Sequence, residues 1–277
     1  MIPMKPEEID WSGEWSRAME DASARNRKFE WDSFARRYAE WAQNDDYPQK
    51  LLNLLSLDRE WTVLDVGAGT GALTIPLAKQ VKHVTALDLS EVMLKYLKEG
   101  LEREGITNVT CLNKSLEGAE DLPLHDAVLA SRSMVMTDAR GALEKIGKLA
   151  KRSVIITWRA NDRKFDKLVY DAIGREYHEY PGYLYLVNML YQMGIYANIR
   201  YIETRSRVCY LDLEDAMDHW RWKVGDLTPG EEEKLQVFLT RHLSRMQNGN
   251  MGDLDITSLW AVLSWNVESF QGRKRED

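Results

Sequence analysis

The chain has 277 residues with an apolar share of 44 %, enough to bury a sizeable core in one domain carrying a cap. Its formal charge of −7 tilts against a nucleic-acid binder, whose affinity rests on neutralised phosphates. No run approaches the roughly 20 apolar residues that span a bilayer, and MIPMKPEEIDW lacks the apolar centre of a signal peptide. With Cys111 and Cys209 far apart in predicted strands, the expectation is a soluble cytoplasmic protein with two reduced thiols and no membrane partner.

Residues 1–56 read as a helical N-terminal segment. Trp11 and Trp15 are four apart, and Trp31, Phe34, Tyr38 and Trp41 recur at three- and four-residue spacing, the mark of amphipathic helices. The second of these precedes the core sheet and is read as a lid over its ligand edge, with a plain packing helix as the alternative. Tyr47-Pro48 opens a short helix running from Gln49 to Leu55.

An apolar strand, Val63 to Val66, then enters a glycine turn, Gly67-Ala68-Gly69-Thr70-Gly71. Glycine here lets the backbone turn sharply and lets a ligand approach closer than a Cβ allows, and the following helix offers unpaired N–H groups. That helix is expected through about Lys79, although Pro76 opposes it. A second strand, Val84 to Leu87, ends on Asp88, placed to accept both hydroxyls of a ribose. Ser90 is an N-cap for the helix Glu91 to Glu104, with Gly105 beyond its end. Strands follow at Val109 to Leu112, Asp126 to Ser131 and Ser153 to Trp158, with a helix over Arg140 to Lys151 between the last two. These strands are nearly continuous in apolar residues, as in parallel strands covered on both faces. The βαβ rhythm predicts an α/β, Rossmann-like, doubly wound sheet of seven mostly parallel strands.

Beyond Trp158 an aromatic-rich helical insert over 159–194 is read as a cap, and 57–277 as the domain that carries it. Ile199 to Tyr210 reads as a strand, and Asp212 to Lys223 follows it. Thr228-Pro229-Gly230-Glu231 is a capping box opening a helix to about Met246, and Ser258 to Trp265 is the last strand.

The glycine turn can be forced onto the dinucleotide pattern G-x-G-x-x-G/A, which would make the protein an NAD-dependent oxidoreductase. Asp65 opposes that, since a carboxylate in the strand just before the turn repels a pyrophosphate and suits a cationic ligand. The stretch Val63-Leu64-Asp65-Val66-Gly67-Ala68-Gly69-Thr70-Gly71, followed by Leu87-Asp88-Leu89-Ser90 and Met93-Leu94, resembles the class I S-adenosylmethionine-dependent methyltransferases. The resemblance, carried by motifs over roughly residues 60 to 160, implies S-adenosylmethionine as cofactor. It implies that Gly67, Ala68 and Gly69 carry the amino-acid end, that Asp65 supports its ammonium and that Asp88 holds the ribose. Leu89 and Met93 would pack near the adenosine. Ser115 stands where an acidic residue commonly receives the adenine amine, and Leu116 could flank the ring. Ser131 and Arg132 occupy the position that usually faces the reacting methyl, without an Asn-Pro-Pro-Tyr-like motif, which lowers the odds of nucleic-acid or glutamine methylation.

For the acceptor, the aromatic insert suggests a small, partly apolar molecule, with Tyr38, Arg132, Trp158, His178, Tyr180 and Tyr183 as candidate pocket residues. The same tyrosines could frame a helical face of Leu186, Met189, Leu190 and Met193 buried in the core. No general base is evident; His178 is a candidate, but a lone histidine is more often a surface or packing residue. His83, His125, His219 and His242 have no ligand spacing, so no metal is expected. Protein or RNA methylation, and cofactor binding without transfer, stand as the other readings.

Overall fold

Both flanks of the run Thr62–Val66 (β1) are paired, by β2 (His83–Asp88) on one side and β4 (His125–Ser131) on the other, all parallel. The computed structural model describes residues 8–25, 31–42, 45–162, 164–206, 209–245, 251–252 and 256–267. β3 (Val109–Asn113) lies outside β2, and β5 (Ala150–Arg159) outside β4. Beyond β5 comes the antiparallel β10 (Ile256–Asn266), and then β6 (Asn198–Ser206) at the edge. The seven-stranded order is therefore β3-β2-β1-β4-β5-β10-β6. Strand order reverses between β1 and β4, which opens a crevice at their carboxyl ends.

The helices are α1 (Trp11–Arg25), α2 (Trp31–Ala42), α3 (Tyr47–Leu52), α4 (Thr74–Ala78) and α5 (Glu91–Glu104), then α6 (Ala139–Leu149), α7 (Lys164–Ile173), α8 (Tyr183–Gln192), α9 (Leu213–Val224) and α10 (Pro229–His242). Side chains alternate across the sheet with period two. Leu64, Val66, Val128, Ala130, Val154, Ile156 and Trp158 face a core closed by α1, α6 and α8. Val63, Val84, Ala127, Leu129 and Ile155 face a second core closed by Tyr47 and Leu51 of α3 and Leu77 of α4.

The local signals act as expected where they are chemical. Ser90 Oγ accepts from Met93 N at 3.0 Å, Gly105 ends α5 at φ 65°, and Thr228 and Glu231 form the reciprocal capping box of α10. α4 is shorter than the predicted helix. Pro76 is its third residue, where the missing N–H would have had no partner within the helix. The predicted strand Ile199 to Tyr210 is divided into β6 and a two-residue β7 (Cys209–Tyr210), which joins β9 (Met251–Gly252) and β8 (Ser244–Arg245) in a small separate sheet.

Residues 159–194, expected as one insert, divide between two cores. α8 returns to the sheet through Leu186, Met189 and Leu190. α7 instead joins α9 and α10, where Val169, Tyr170 and Ile173 pack with Met217, Trp220, Leu235 and Leu239. The N-terminal segment divides too. α1 is a wall of the main core, with Trp15 at 0 % exposure and its Nε1 donating to Met136 O at 2.9 Å. α2 lies against α5, beside the glycine turn. Cys111 is a free thiol, and the Cys209 side chain lies outside the described residues. Among the described residues no helix is long and apolar enough to cross a membrane.

Candidate active site

The glycine turn is fixed from below by main-chain bonds, Gly67 N and Ala68 N donating to Leu87 O at 2.7 and 3.1 Å. Gly67 has φ 74°, and a Cβ there would stand 2.4 Å from Ser133 Cβ, so the strand-end loop after β4 closes directly on the turn. Gly69 has φ 55° and an open outer side, where the nearest atom to a Cβ would be Tyr38 Cε1 at 3.7 Å. Asp88 is tied to the same turn. Its Oδ2 accepts from Gly69 N at 2.7 Å and its Oδ1 from Ser90 N at 2.9 Å. Ser90 Oγ in turn donates to Asp32 Oδ1 of α2 at 2.5 Å. Burial raises the Asp88 carboxyl above its ordinary range, the Ser90 and Gly69 N–H groups oppose that, and Asp32 adds to it.

Asp65 lies beneath, 2 % exposed, with Thr74 Oγ1 donating to its Oδ2 at 2.6 Å. Burial pushes it up to about 6, Thr74 pulls it down, and Asp88 pushes it further up. Among the described residues no Lys or Arg forms an ion pair with it. A carboxylate so placed is stabilised by a cation that a ligand brings. Beside Asp88, Leu89 is 75 % exposed, while Met93 and Leu116 are buried. Ser115 Oγ accepts from Gly118 N at 3.0 Å and so shapes its own loop.

The second wall stands at the carboxyl ends of β4 and β5. The Tyr47 hydroxyl bonds Ser131 Oγ at 2.6 Å and also Thr157 Oγ1. Burial raises the Tyr47 phenol above its ordinary range, against the pull of Arg132, so it keeps its proton. Arg132 Cζ lies 3.5 Å over the Tyr47 ring and 4.4 Å over that of Trp260, and Nη1 donates to Asp45 Oδ2 at 2.8 Å. Tyr38 interacts electrostatically with both Tyr47 and Arg132, so α2 reaches this wall as well.

Ser131, Arg132 and Tyr38 are thus brought together with the turn; Trp158, His178, Tyr180 and Tyr183 are placed elsewhere. Trp158 and Thr157 are neighbours on a strand and point to opposite faces. Trp158 donates from Nε1 to Pro181 O at 2.7 Å and packs 5.4 Å from Trp15. His178 Nδ1 sits 2.8 Å from Asp21 Oδ2 of α1. Tyr180 and Tyr183 lie against the α1–α8 core, and the Tyr183 hydroxyl bonds that of Tyr201 at 2.8 Å. Sequence reasoning missed Asp32, Asp45, Tyr47 and Thr157. Of these only Tyr47 carried a signal, as a large aromatic at the start of a helix otherwise explained by Pro48.

The comparisons agree with this geometry. Residues 63–153 match the methyltransferase domain family. An uncharacterized protein of Haemophilus influenzae is 35 % identical over 243 residues, covering 86 % of this chain and 89 % of that one. A Streptococcus agalactiae protein described as an uncharacterized RNA methyltransferase is 30 % identical over 122 residues, which cover 44 % of this chain but 25 % of that protein. Among solved structures, a Bacillus halodurans C-125 protein superposes with a TM-score of 0.57 at 15 % identity, over 79 % of this chain and 98 % of its own, a likeness of fold. The sheet order, the glycine turn and the two carboxylates define an enzyme that works on an adenosine-bearing cation. The chain belongs to the class I S-adenosylmethionine-dependent methyltransferases.

The residues present fit that cofactor. Gly69 leaves open space where a Cβ would intrude, Asp65 is a buried carboxylate suited to an ammonium, and exposed Leu89 offers an apolar face beside the ribose position. The dinucleotide alternative fails on Asp65, which has no role beside a pyrophosphate.

Proposed function

We propose that the acceptor is a small molecule, bound between the glycine turn and the Arg132 wall beneath α2. One observation carries this reading: α2 roofs the site and is fastened on two sides. Asp32 ties it to Ser90 at the cofactor edge. On the cap side Phe34 stacks on Trp222 at 4.1 Å, Trp222 Nε1 donates to Ser33 Oγ at 3.1 Å, and Arg37 pairs with Asp215. A molecule small enough to lie under a helix can enter such a site, whereas a folded RNA or protein meets the helix first. The net charge of −7 supports the same reading.

When bound, S-adenosylmethionine supplies an electrophilic methyl on a cationic sulfur, and in-line attack by the acceptor's lone pair returns the bonding pair to that sulfur. The chain contributes placement. Asp65 and the turn would hold one end and Asp88 the middle, with Ser131 and Arg132 on the side left for the acceptor. Near-attack geometry of this kind supplies most of the rate gain in a displacement that neutralises charge. The enzyme is tested with methyl-labelled cofactor and three fractions of a cell extract: metabolites, RNA and protein. Label is expected in the metabolite fraction, and label confined to RNA or protein overturns the reading. The partial likeness to an RNA methyltransferase supplies that rival.

A further inference from the structure

We propose that Arg132 selects the acceptor by binding a carboxylate that the acceptor carries, an inference that rests on the small-molecule reading above. Position comes first. Its neighbour Ser133 closes on the glycine turn, donating from Oγ to Val66 O at 2.6 Å, so Arg132 is one residue from the cofactor loop. Tyr38, whose ring borders Gly69, is its electrostatic neighbour on the other side.

The backbone adds a second argument. Among the described residues Arg132 is the one non-glycine residue with a left-handed φ, 58°. Its N–H is pinned to both Thr157 O and Thr157 Oγ1, at 3.2 and 3.1 Å. Glycine would take this conformation without strain, whereas an arginine holds its side chain here at a backbone cost.

The guanidinium supplies the third. Two rings and Asp45 fix its plane, and Asp45 Oδ1 is itself occupied by Tyr47 N at 3.0 Å. Only Nη1 is bonded. Nε is buried with no acceptor, and Nη2 has no protein partner among the described residues, while the side chain remains 22 % exposed. A buried N–H without an acceptor is costly, and one carboxylate on the Nε–Nη2 edge satisfies two donors at once. Asp45 already offsets part of the charge, which favours a monoanion over a phosphate dianion. Arg132 is therefore a specificity residue, pre-set by Asp45, Tyr47 and Trp260.

A metabolite fraction is divided, and in one half carboxylates are converted to N-methylamides by carbodiimide coupling. Both halves are incubated with the intact enzyme and methyl-labelled cofactor. Labelled product is expected from the untreated half and reduced about tenfold or more in the amidated half. Equal labelling of both halves overturns the carboxylate while leaving the small-molecule reading intact; label found only when RNA or protein is supplied overturns both. With wild-type enzyme as reference, Arg132→Lys is expected to raise the KM for the acceptor fraction about tenfold to a hundredfold, with S-adenosylhomocysteine affinity unchanged. An equal loss of S-adenosylhomocysteine affinity assigns Arg132 to the fold and overturns the proposal.

Discussion

On the cofactor side the ligand-facing groups are the open side of the glycine turn at Gly69 and two carboxylates, Asp65 and Asp88, held by residues within a single stretch. On the Arg132 side every group is a side chain, and Tyr38, Asp45, Tyr47, Arg132, Thr157 and Trp260 come from five separate segments, Asp45 and Tyr47 sharing one. The first wall is set as soon as β1, the turn and β2 form. The second exists only once α2, α3, β4, β5 and β10 are all in place. Changes at the first wall should therefore act on cofactor affinity alone, and changes at the second on the acceptor, with α2 as the one element that touches both.

The largest expected effect breaks the first wall. Asp88→Ala removes acceptors of charge-assisted hydrogen bonds, and S-adenosylmethionine affinity should fall about tenfold to a hundredfold by calorimetry. Gly69→Val fills the open side of the turn and forces a β-branched residue to φ 55°, so a loss at least as large is expected. Unchanged affinity in both variants would remove the turn from the site.

Asp65 gives the comparison a pH axis. Its folded pKa, about 6, is raised above the ordinary 3.8. The folded state thus holds the proton longer than the unfolded chain, and the group's contribution to stability is full below about 3.8 and lost as pH rises through about 6. The span is on the order of 3 kcal/mol. Without ligand, wild type should lose stability relative to Asp65→Asn between pH 4 and pH 7, as read in denaturant melts. Ligand binding runs the other way. An ammonium needs the ionised carboxylate, so affinity should weaken about tenfold from pH 7 to pH 5 in wild type and stay flat in Asp65→Asn. A flat wild-type profile would mean that the ligand's cation lies elsewhere.

The same contrast explains what could be read before the structure was known. The cofactor wall was legible because its chemistry is contiguous: a strand, alternate glycines and an acid at the next strand end have one common use. The seven-stranded sheet was legible because apolar runs covered on both faces alternate with capped helices. Strand parity, by contrast, hid the acceptor wall. An apolar strand such as Val154 to Trp158 gives no sign of which face borders the ligand, so Trp158 and Thr157 could not be told apart. Nor does the sequence show that Arg132 adopts a left-handed backbone, or that Tyr47 turns its hydroxyl into a strand end instead of toward solvent.

A smaller effect tests whether α2 couples the walls. Trp222→Ala removes the stack on Phe34 and the bond to Ser33 Oγ without touching either wall. A stacked ring pair contributes about 0.5–1.5 kcal/mol, so a roughly twofold to tenfold loss of cofactor affinity is expected, with faster amide hydrogen exchange along α2. Loss of exchange protection in α2 with cofactor affinity unchanged would show that the roof is independent of the first wall. His178→Ala, on the α1 side of the sheet, should leave both cofactor affinity and transfer rate unchanged.

The smallest effect is expected at Ser115. Its hydroxyl already accepts from Gly118 N, so its oxygen serves the loop first. If the adenine amine is received by a main-chain carbonyl of this loop, Ser115→Ala costs only the turn bond, about 1 kcal/mol, and affinity falls no more than about fivefold. Ser115→Asp sharpens the test, because a carboxylate there can accept from Gly118 N and from an amine together. Calorimetry with adenosine-bearing and inosine-bearing cofactors separates the cases. A gain for Ser115→Asp with the adenosine form alone places the amine at this residue, and an equal change with both forms places it away from Ser115.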